Sequence, residues 1–272
     1  MKRLPGKSLY EVHNGMSHTE KLSMARTIAR IIAAIHSSQV PVGYGPLCGN
    51  DEGLVIRHDD ERKLRDCSYT PSTLEDYLTM RFAEMANNDV SDFTRPIYEG
   101  LRDAVADIVK LLPSRASYRH VLRHTDFAPR NILVEYNARD AIWHVSGILD
   151  WDDCEVSPGE IAFGCPGWVW SHSDDGSVSD SSDEFDCDPD EPVHDDQCQE
   201  IKDAFVDEIE KLLPGFMDVV RETRKVPLKR IWSLARSGVF SNETEREATA
   251  IIRFASDSKQ IQEGEPPRLN VP

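Results

Sequence analysis

The chain has 272 residues, of which 39% are hydrophobic and 29% charged, a composition typical of a globular protein that can bury a sizeable core. No apolar run approaches the length of a membrane span, and the first residues, MKRLPGKSLYEVHNG, do not resemble a secretory signal peptide. We therefore expect a cytoplasmic protein with no membrane partner, whose six cysteines are free thiols.

The net charge of −17 is concentrated in one segment. Residues 174–196 hold eleven of the 48 acidic residues and none of the 31 basic ones, so the remaining chain carries 37 acidic against 31 basic residues, a net charge of −6. This balance argues against a nucleic-acid partner, because phosphate contacts depend on Lys and Arg. The acidic run predicts a disordered insertion over residues 171–198, although an acidic face can also attract cationic substrates.

Helical patterns dominate the first part of the chain. Apolar residues at every third or fourth position predict an amphipathic helix from Ser17 or Thr19 to about Ser37. Residues 38–70 are rich in glycine and predict a loop with one short hairpin. A capping box, Ser72-Thr73-Leu74-Glu75, predicts a helix that ends near Asn87, and a further helix is expected over residues 96–112.

A hairpin is predicted in the middle of the chain. A β-type run at 118–122 is followed by a proline-containing loop at 125–130, a strand at 131–134, and a second strand at 141–149. This arrangement would place Asp126 and Asn131 on one loop and bring Asp150 beside them. Loops held by rigid elements in this way often carry functional residues.

These three side chains have the types and spacing that phosphoryl transfer requires. The reaction needs a group that orients the attacking hydroxyl and a magnesium ion that neutralises phosphate charge. Asp126 can accept the hydroxyl proton, while Asn131 and Asp150 offer hard oxygen ligands of the kind that Mg²⁺ prefers. A carboxylate or amide in a loop is often structural when it stands alone, so the prediction depends on all three together.

The same residues carry a family resemblance. HTDFAPRN at 124–131 resembles the His-x-Asp-x-x-x-x-Asn catalytic loop of kinase-like enzymes, and GILDWD at 147–152 is similar to the metal-binding segment of the aminoglycoside phosphotransferase family. The resemblance is to the divergent members met in fungi. It implies an α+β, protein-kinase-like fold, with a mostly helical large C-terminal lobe over residues 9–170 and 199–255 and short hairpins that carry the two loops.

The resemblance also implies roles for individual residues. It implies an ATP-dependent phosphotransferase that acts on a hydroxyl of a small molecule, with Asp126 as the base and Mg²⁺ held by Asn131 and Asp150. His124 would support the catalytic loop. Leu133 and Leu149 would form the floor of the adenine pocket, although burial in the core explains these two leucines equally well.

The N-terminal residues leave an alternative open. Residues 1–8 resemble the segment just past the hinge of this family, and we find no glycine-rich strand loop or strand lysine of a small lobe in the sequence. The chain would then be the large lobe of an enzyme, a truncated piece, or a non-catalytic, kinase-derived binding protein. In the last case, the surface that normally meets the small lobe would invite a protein partner or self-association.

Three further helices are predicted towards the C-terminus. They cover residues 197–212, 227–238 and 243–255. The remaining segment, 256–272, contains Gly264, Pro266 and Pro267 and is expected to be a flexible tail.

Overall fold

The computed structural model describes residues 5–50, 53–56, 71–88, 93–112, 120–152, 154–170 and 188–262. The helices in these ranges are α1 (Leu9–Val12), α2 (His18–His36), α3 (Leu74–Asn87), α4 (Arg95–Lys110), α5 (Gly159–Ala162), α6 (Asp196–Leu212), α7 (Phe216–Arg224), α8 (Leu228–Ser237) and α9 (Asn242–Gln262). Among the described residues, no helix is long and apolar enough to cross a lipid bilayer.

The described strands form two small antiparallel sheets. They are β1 (Lys7–Ser8), β2 (Gly45–Asn50), β3 (Gly53–Ile56), β4 (His120–Arg123), β5 (Ile132–Asn137), β6 (Ile142–Ile148) and β7 (Glu155–Pro158). One sheet has the order β1-β5-β6 and the other the order β3-β2-β7-β4. Helices and short antiparallel strands together confirm the predicted α+β class. The hairpin expected within residues 38–70 is the pair β2 and β3.

The chain forms two compact units. The first contains α1, α2, all seven strands, α5, α6 and the first six residues of α7. The second contains α3, α4, α8, α9 and the end of α7. The predicted catalytic loop, hairpin and metal-binding segment all lie in the first unit.

Helix α2 is the main helix of the first unit. Its N-terminus is closed by a capping box, in which the Ser17 hydroxyl accepts from the Glu20 N–H and Glu20 accepts from the Ser17 N–H at 2.7 Å. The Ser17 hydroxyl also donates to Glu20 Oε2 at 2.7 Å, and this hydrogen bond, followed by that of the Ser17 N–H, lowers the pKa of Glu20. The face that packs inward is apolar and is formed by Met24, Ala25, Ile28, Ala29, Ile32, Ala33 and Ile35. This confirms the helix predicted over residues 17–37.

The core of the first unit is formed by α2, α6, part of α7 and an aromatic segment after α5. Two polar contacts at the rim join α2 to α6: His18 Nε2 lies 2.7 Å from Glu200 Oε2, and Arg30 Nε forms an ion pair with Glu208 Oε1 at 2.7 Å. The aromatic segment contributes Trp168 and Trp170, both almost fully buried. Burial of such large side chains stabilises the platform on which the two sheets rest.

The second unit has an aromatic core of its own. Tyr77 on α3 stacks on Trp232 of α8 with 4.8 Å between ring centroids, and Tyr44 meets both rings edge-on. The Tyr98 hydroxyl on α4 accepts a hydrogen bond from the Val239 N–H at 2.8 Å. The Tyr and Trp rings thus supply both apolar area and directed polar contacts.

Four details differ from the sequence predictions. Helix α3 is capped by Thr73, whose hydroxyl accepts from the Asp76 N–H at 3.1 Å, so the predicted capping box is wrong by one residue. Helix α7 was not predicted, because the Pro214-Gly215 pair before it indicates a turn. Its buried Phe216 and Met217 show that tertiary packing, rather than local sequence, holds it.

The other two differences concern segments that were expected to be disordered. Helix α9 continues to Gln262 instead of ending at Ala255, because no glycine or proline interrupts the chain before Gly264; Ala255 is the last buried residue among its described side chains. Within the acidic segment, Asp190 pairs with Arg221 at 3.1 Å, and Asp195 caps α6 by accepting from the Cys198 N–H at 2.7 Å. Residues 171–187 and 263–272 lie outside the described residues.

Candidate active site

The predicted catalytic loop connects β4 to β5. It begins at His124, directly after β4, and ends in a single 3-10 turn, Pro129–Asn131. Two backbone hydrogen bonds close it, from the Ala128 N–H to the Asp126 carbonyl and from the Asn131 N–H to the Ala128 carbonyl, both at 2.9 Å. Pro129 stands at the first turn position, where its missing N–H costs nothing. The loop is therefore fixed at both ends by strands.

Asp126 and Asn131 are in direct contact. The Asn131 side-chain amide donates to the Asp126 backbone carbonyl at 3.0 Å and to Asp126 Oδ2 at 2.8 Å. Both partners are acceptors, so the nitrogen of the amide must face them. The Asn131 carbonyl oxygen is then the polar atom that remains for another ligand. The sequence prediction that these two side chains meet on one loop agrees with this geometry.

Asp150 follows β6 and is held close to the same loop through its neighbour. The Leu149 N–H donates to the backbone carbonyl of Asn131 at 2.7 Å, and Ile132 and Ile148 are paired across the hairpin. Asp150 itself has a φ of 61°, in the left-handed region, and its side chain is exposed. A non-glycine residue in this conformation stores strain, and Asp tolerates it better than most. The turn projects a carboxylate into solvent directly after the strand.

His124 connects the catalytic loop to the metal-binding segment. Its Nε2 lies 2.8 Å from the Leu149 carbonyl oxygen, and its Nδ1 accepts from the Asp126 N–H at 3.2 Å. A carbonyl can only accept and an amide N–H can only donate, so the ring carries its proton on Nε2. The ring is 5% exposed and packs edge-on against Trp151, with 4.7 Å between centroids.

Arg130 is a residue of the site that the sequence reasoning missed. Its Nη2 lies 2.6 Å from Asp126 Oδ1 and 2.7 Å from Oδ2. The signal was present in the sequence, since Arg130 is four residues after Asp126 and next to Asn131. It went unused because both residues were assigned to an irregular loop, where no fixed spacing brings two side chains together.

Leu133 and Leu149 lie on the two arms of the β5–β6 hairpin. Leu133 is half-buried on β5, opposite Gly147 of β6. Leu149 follows the end of β6 and is 36% exposed. Since both leucines retain exposed surface, neither is fully used by the core of the first unit, and the assignment to an adenine-pocket floor stays a prediction.

Behind the loop lies a buried ion pair. Arg123 of β4 and Glu155 of β7 are directly opposite in the sheet, with 2.8 Å between Nη1 and Oε1, and the Glu155 side chain is fully buried. Removing one partner of such a pair leaves an uncompensated buried charge, which is strongly destabilising. The pair fixes the strand residue that immediately precedes His124.

Two further titratable groups are buried in the first unit. His36, at the end of α2, stacks on Phe163 with 5.0 Å between centroids; burial, and then the positive charge of Arg123, lower its pKa to about 3. Glu160, in α5, is 6% exposed, and burial raises its pKa to about 7. Both groups are therefore held in their neutral forms below neutral pH, Glu160 by protonation and His36 by the loss of its proton.

The N-terminal strand supports the turn that carries Arg130. The Ser8 hydroxyl donates to the carbonyls of Pro129 and Arg130 at 3.2 and 3.3 Å, and it also accepts from the Tyr10 N–H at the start of α1. Gly6 precedes this strand with a φ of +113°. One short segment thus couples α1, β5 and the catalytic loop.

The donor set at the site suits a magnesium ion. Asn131 could offer an amide oxygen and Asp150 a carboxylate, both hard donors, and Mg²⁺ commonly completes its shell with water and substrate phosphates. In the part of the chain that the structure describes, no group of three or more His, Cys, Asp or Glu side chains could hold a metal. The predicted magnesium site has one carboxylate and one amide, so it does not belong to this class of clusters.

A cleft of about 510 Å³ opens beside this segment, between α2 and β6. Its walls are the α2 residues Thr27 and Ile31, most of β6, and Trp151. Asp126 is not among the residues that line it. The cleft therefore borders the predicted metal-binding segment through Ile148 and Trp151.

A comparison with sequence models of known families agrees with the family resemblance of this loop and hairpin. The sequence model of the phosphotransferase enzyme family matches residues 1–193, and the chain belongs to that family. Membership confirms the resemblance found in the catalytic and metal-binding segments, and with it the kinase-like α+β fold that the resemblance implies.

Individual relatives are distant. The chain is 25% identical, over 181 residues, to clavilactone A biosynthesis cluster protein Y of Ampulloclitocybe clavipes; the match covers 62% of this chain and 44% of that protein. The chain therefore spans less than half the length of this curated relative.

Two solved structures are similar in fold. The streptomycin–ATP ternary complex of APH(2'')-IIa is 15% identical with a TM-score of 0.46, over 93% of this chain and 69% of that one. The ADP-bound aminoglycoside phosphotransferase APH(2'')-Ib is 13% identical with a TM-score of 0.46, over 95% of this chain and 71% of that one.

Proposed function

We propose that this chain carries the catalytic loop of an ATP-dependent phosphotransferase that transfers a γ-phosphoryl group to a hydroxyl of a small molecule. The observation that carries the proposal is the contact between Asn131 and Asp126, because it directs a carboxylate and an amide oxygen to different ligands on one rigid loop. Family membership and the placement of Asp150 beside this loop support it.

Asp126 is the proposed base. It would accept the proton of the acceptor hydroxyl as the acceptor oxygen bonds to the γ-phosphorus, while the bond between that phosphorus and the bridging oxygen of ADP breaks. Positioning of the hydroxyl is the main contribution, since such transition states need little covalent assistance from the protein.

Asn131 and Asp150 are the proposed magnesium ligands, and the ion would neutralise charge on the phosphates of ATP. His124 would hold the two loops together, because its ring bridges the Asp126 N–H and the Leu149 carbonyl. Leu133 and Leu149 are the proposed contacts for the adenine ring.

A non-catalytic, kinase-derived binding protein is the competing proposal. The observation that favours it is the ion pair between Arg130 and Asp126, because a carboxylate that already holds a guanidinium is less available as a base. The two proposals differ in turnover, which a single substitution can test.

Replacing Asp126 by Asn should abolish transfer without unfolding the protein. We expect ADP formation from Mg·ATP, measured with a panel of hydroxyl acceptors that includes aminoglycosides, amino alcohols and sugars, to fall at least about 100-fold, the usual contribution of a general base. Circular dichroism should be unchanged. Equal turnover in the Asp126→Asn variant, or no ADP formation by the wild type with any acceptor, would favour the non-catalytic protein.

A further inference from the structure

The bonding of the Asp126 carboxylate is unusually complete for a residue that would serve as a base. Oδ2 accepts from both Asn131 Nδ2 and Arg130 Nη2, whereas Oδ1 accepts from Arg130 Nη2. An ionised carboxylate has about four acceptor positions. Among the described residues, three of them are occupied, and the remaining one is on Oδ1.

This count fixes the direction from which a hydroxyl can approach. A hydrogen bond to Oδ2 would have to displace Asn131 or Arg130, but a hydrogen bond to Oδ1 displaces nothing. Arg130 Nη2 is only 2.6 Å from Oδ1. A hydroxyl bound at Oδ1 therefore lies beside a guanidinium group.

The exposure of the Asp126 and Arg130 side chains is consistent with the approach of a hydroxyl to Oδ1. The Asp126 side chain is 27% exposed and that of Arg130 is 37% exposed, so both retain solvent-accessible surface. The backbone of the turn is braced by the Ser8 hydroxyl, which donates to the Arg130 carbonyl. The arginine thus has a fixed main chain and an accessible head group.

We propose that Arg130 is a positioning residue, which holds the Asp126 carboxylate so that only Oδ1 can accept the acceptor hydroxyl and keeps a positive charge beside that oxygen. Arg130 transfers no proton; the hydroxyl proton goes to Asp126 as the oxygen attacks. The role rests on the proposed phosphotransferase function and adds to it a residue other than the two proposed magnesium ligands and the proposed base.

The charge has a physical use in the reaction. The proton leaves the acceptor oxygen while negative charge spreads over the transferred phosphoryl group, and a fixed cation close by stabilises that change without reorganising. An arginine is suited to the task because its guanidinium is always charged and offers several donors in a rigid plane. A lysine at position 130 would keep the charge but lose the geometry.

The test compares Arg130→Ala with Arg130→Lys, and uses Arg139→Ala as a matched control on an exposed arginine at the tip of the β5–β6 hairpin. We expect Arg130→Ala to lower kcat about 100- to 1,000-fold, the range found when one charge-stabilising donor is removed, with KM for ATP changed less than about threefold. Arg130→Lys should be intermediate. Arg139→Ala should match the wild type.

Chemical rescue separates this role from simple support of the loop. Guanidinium at low millimolar concentration should restore part of the kcat of Arg130→Ala, whereas urea at the same concentration should not. The thermal shift of Arg130→Ala by Mg·ATP should equal that of the wild type.

The experiments distinguish a failure of the proposed Arg130 role from a failure of the proposed phosphotransferase function. Wild-type turnover that Arg130→Ala leaves within about twofold, or a loss that guanidinium does not reverse, would overturn the role of Arg130 alone. A wild type that forms no ADP above the Asp126→Asn background would overturn the proposed function and this role with it.

Discussion

At the scale of single residues, the burial of Glu160 makes the stability of the protein depend on pH. Its Oε2 is buried with no hydrogen-bond partner among the described residues, and burial raises the pKa of the carboxyl group from 4.5 to about 7. The folded protein therefore holds a proton that the unfolded chain releases near pH 4.5. The neutral carboxyl group contributes stability below that pH, and the contribution is lost as the pH rises through about 7.

Replacing Glu160 by Gln should remove this pH dependence. The free energy of unfolding of the variant, relative to the wild type, should rise between pH 4.5 and pH 8 by an amount on the order of 3 kcal/mol, because 2.5 pKa units separate the two states. Urea denaturation at the two pH values measures it. A relative stability that stays constant between them would show that Glu160 ionises normally in the fold.

The contact between Asp126 and Asn131 was predictable because HTDFAPRN follows the His-x-Asp-x-x-x-x-Asn pattern of kinase-like catalytic loops. The ion pair of Arg130 with Asp126 was not predicted, although the two residues are four positions apart. It depends on the 3-10 turn Pro129–Asn131, which the residue types alone do not specify. The long-range ion pair of Arg123 with Glu155 could likewise not be predicted from the sequence, because it depends on the register between β4 and β7.

At the scale of elements, Gly6 shows how a short strand is kept beside the catalytic loop. A Cβ added at this position would lie 2.8 Å from the Val134 carbonyl oxygen and 2.8 Å from the Ser146 hydroxyl. The Ser146 hydroxyl already donates to the Pro5 carbonyl at 2.7 Å. Both the positive φ and the close approach therefore require glycine.

The Gly6→Ala variant should lose about 2 kcal/mol or more of stability, from the unfavourable φ and the contact with backbone that cannot move aside. Gly15→Ala is the matched control, because a Cβ there has nothing within 4 Å. Midpoints of guanidinium denaturation for the two variants provide the comparison. If Gly6→Ala unfolds at the same midpoint as Gly15→Ala, the close packing of this segment on β5 is wrong.

Element boundaries were predictable where a local signal exists. Helix α2 has a capping box and a continuous apolar stripe, and it begins and ends where the sequence predicts. Helix α9 runs past its expected end, because the sequence has no glycine or proline to stop it before Gly264 and its last buried described side chain, Ala255, does not mark its end. Helix α6 begins at Asp196, one residue before its predicted start, directly after Asp195, which serves as its cap.

At the scale of the whole molecule, the acidic charge has a local part in the fold. The net charge is −17, yet Asp190 and Asp195 are used in an ion pair and a helix cap, and the cap lowers the pKa of Asp195. An acidic segment can thus be tied to a fold at its end by specific contacts. Composition alone predicts disorder for such a run and does not predict the ion pair of Asp190 or the helix cap of Asp195.

The central claim is that Asp126, Asn131 and Asp150 form one site for a magnesium-bound nucleotide. Titration calorimetry with ATP, in the presence of Mg²⁺ or EDTA, tests it without knowledge of the acceptor. Asp126→Asn serves as the control that should bind ATP like the wild type, because a base is not needed for binding.

We predict that the wild type and Asp126→Asn bind ATP only with Mg²⁺, and that Asp150→Asn weakens this binding at least about tenfold, the effect expected when a ligand carboxylate loses its charge. Equal affinity in Asp150→Asn, binding that EDTA leaves unchanged, or no binding by the wild type at millimolar ATP would contradict the claim.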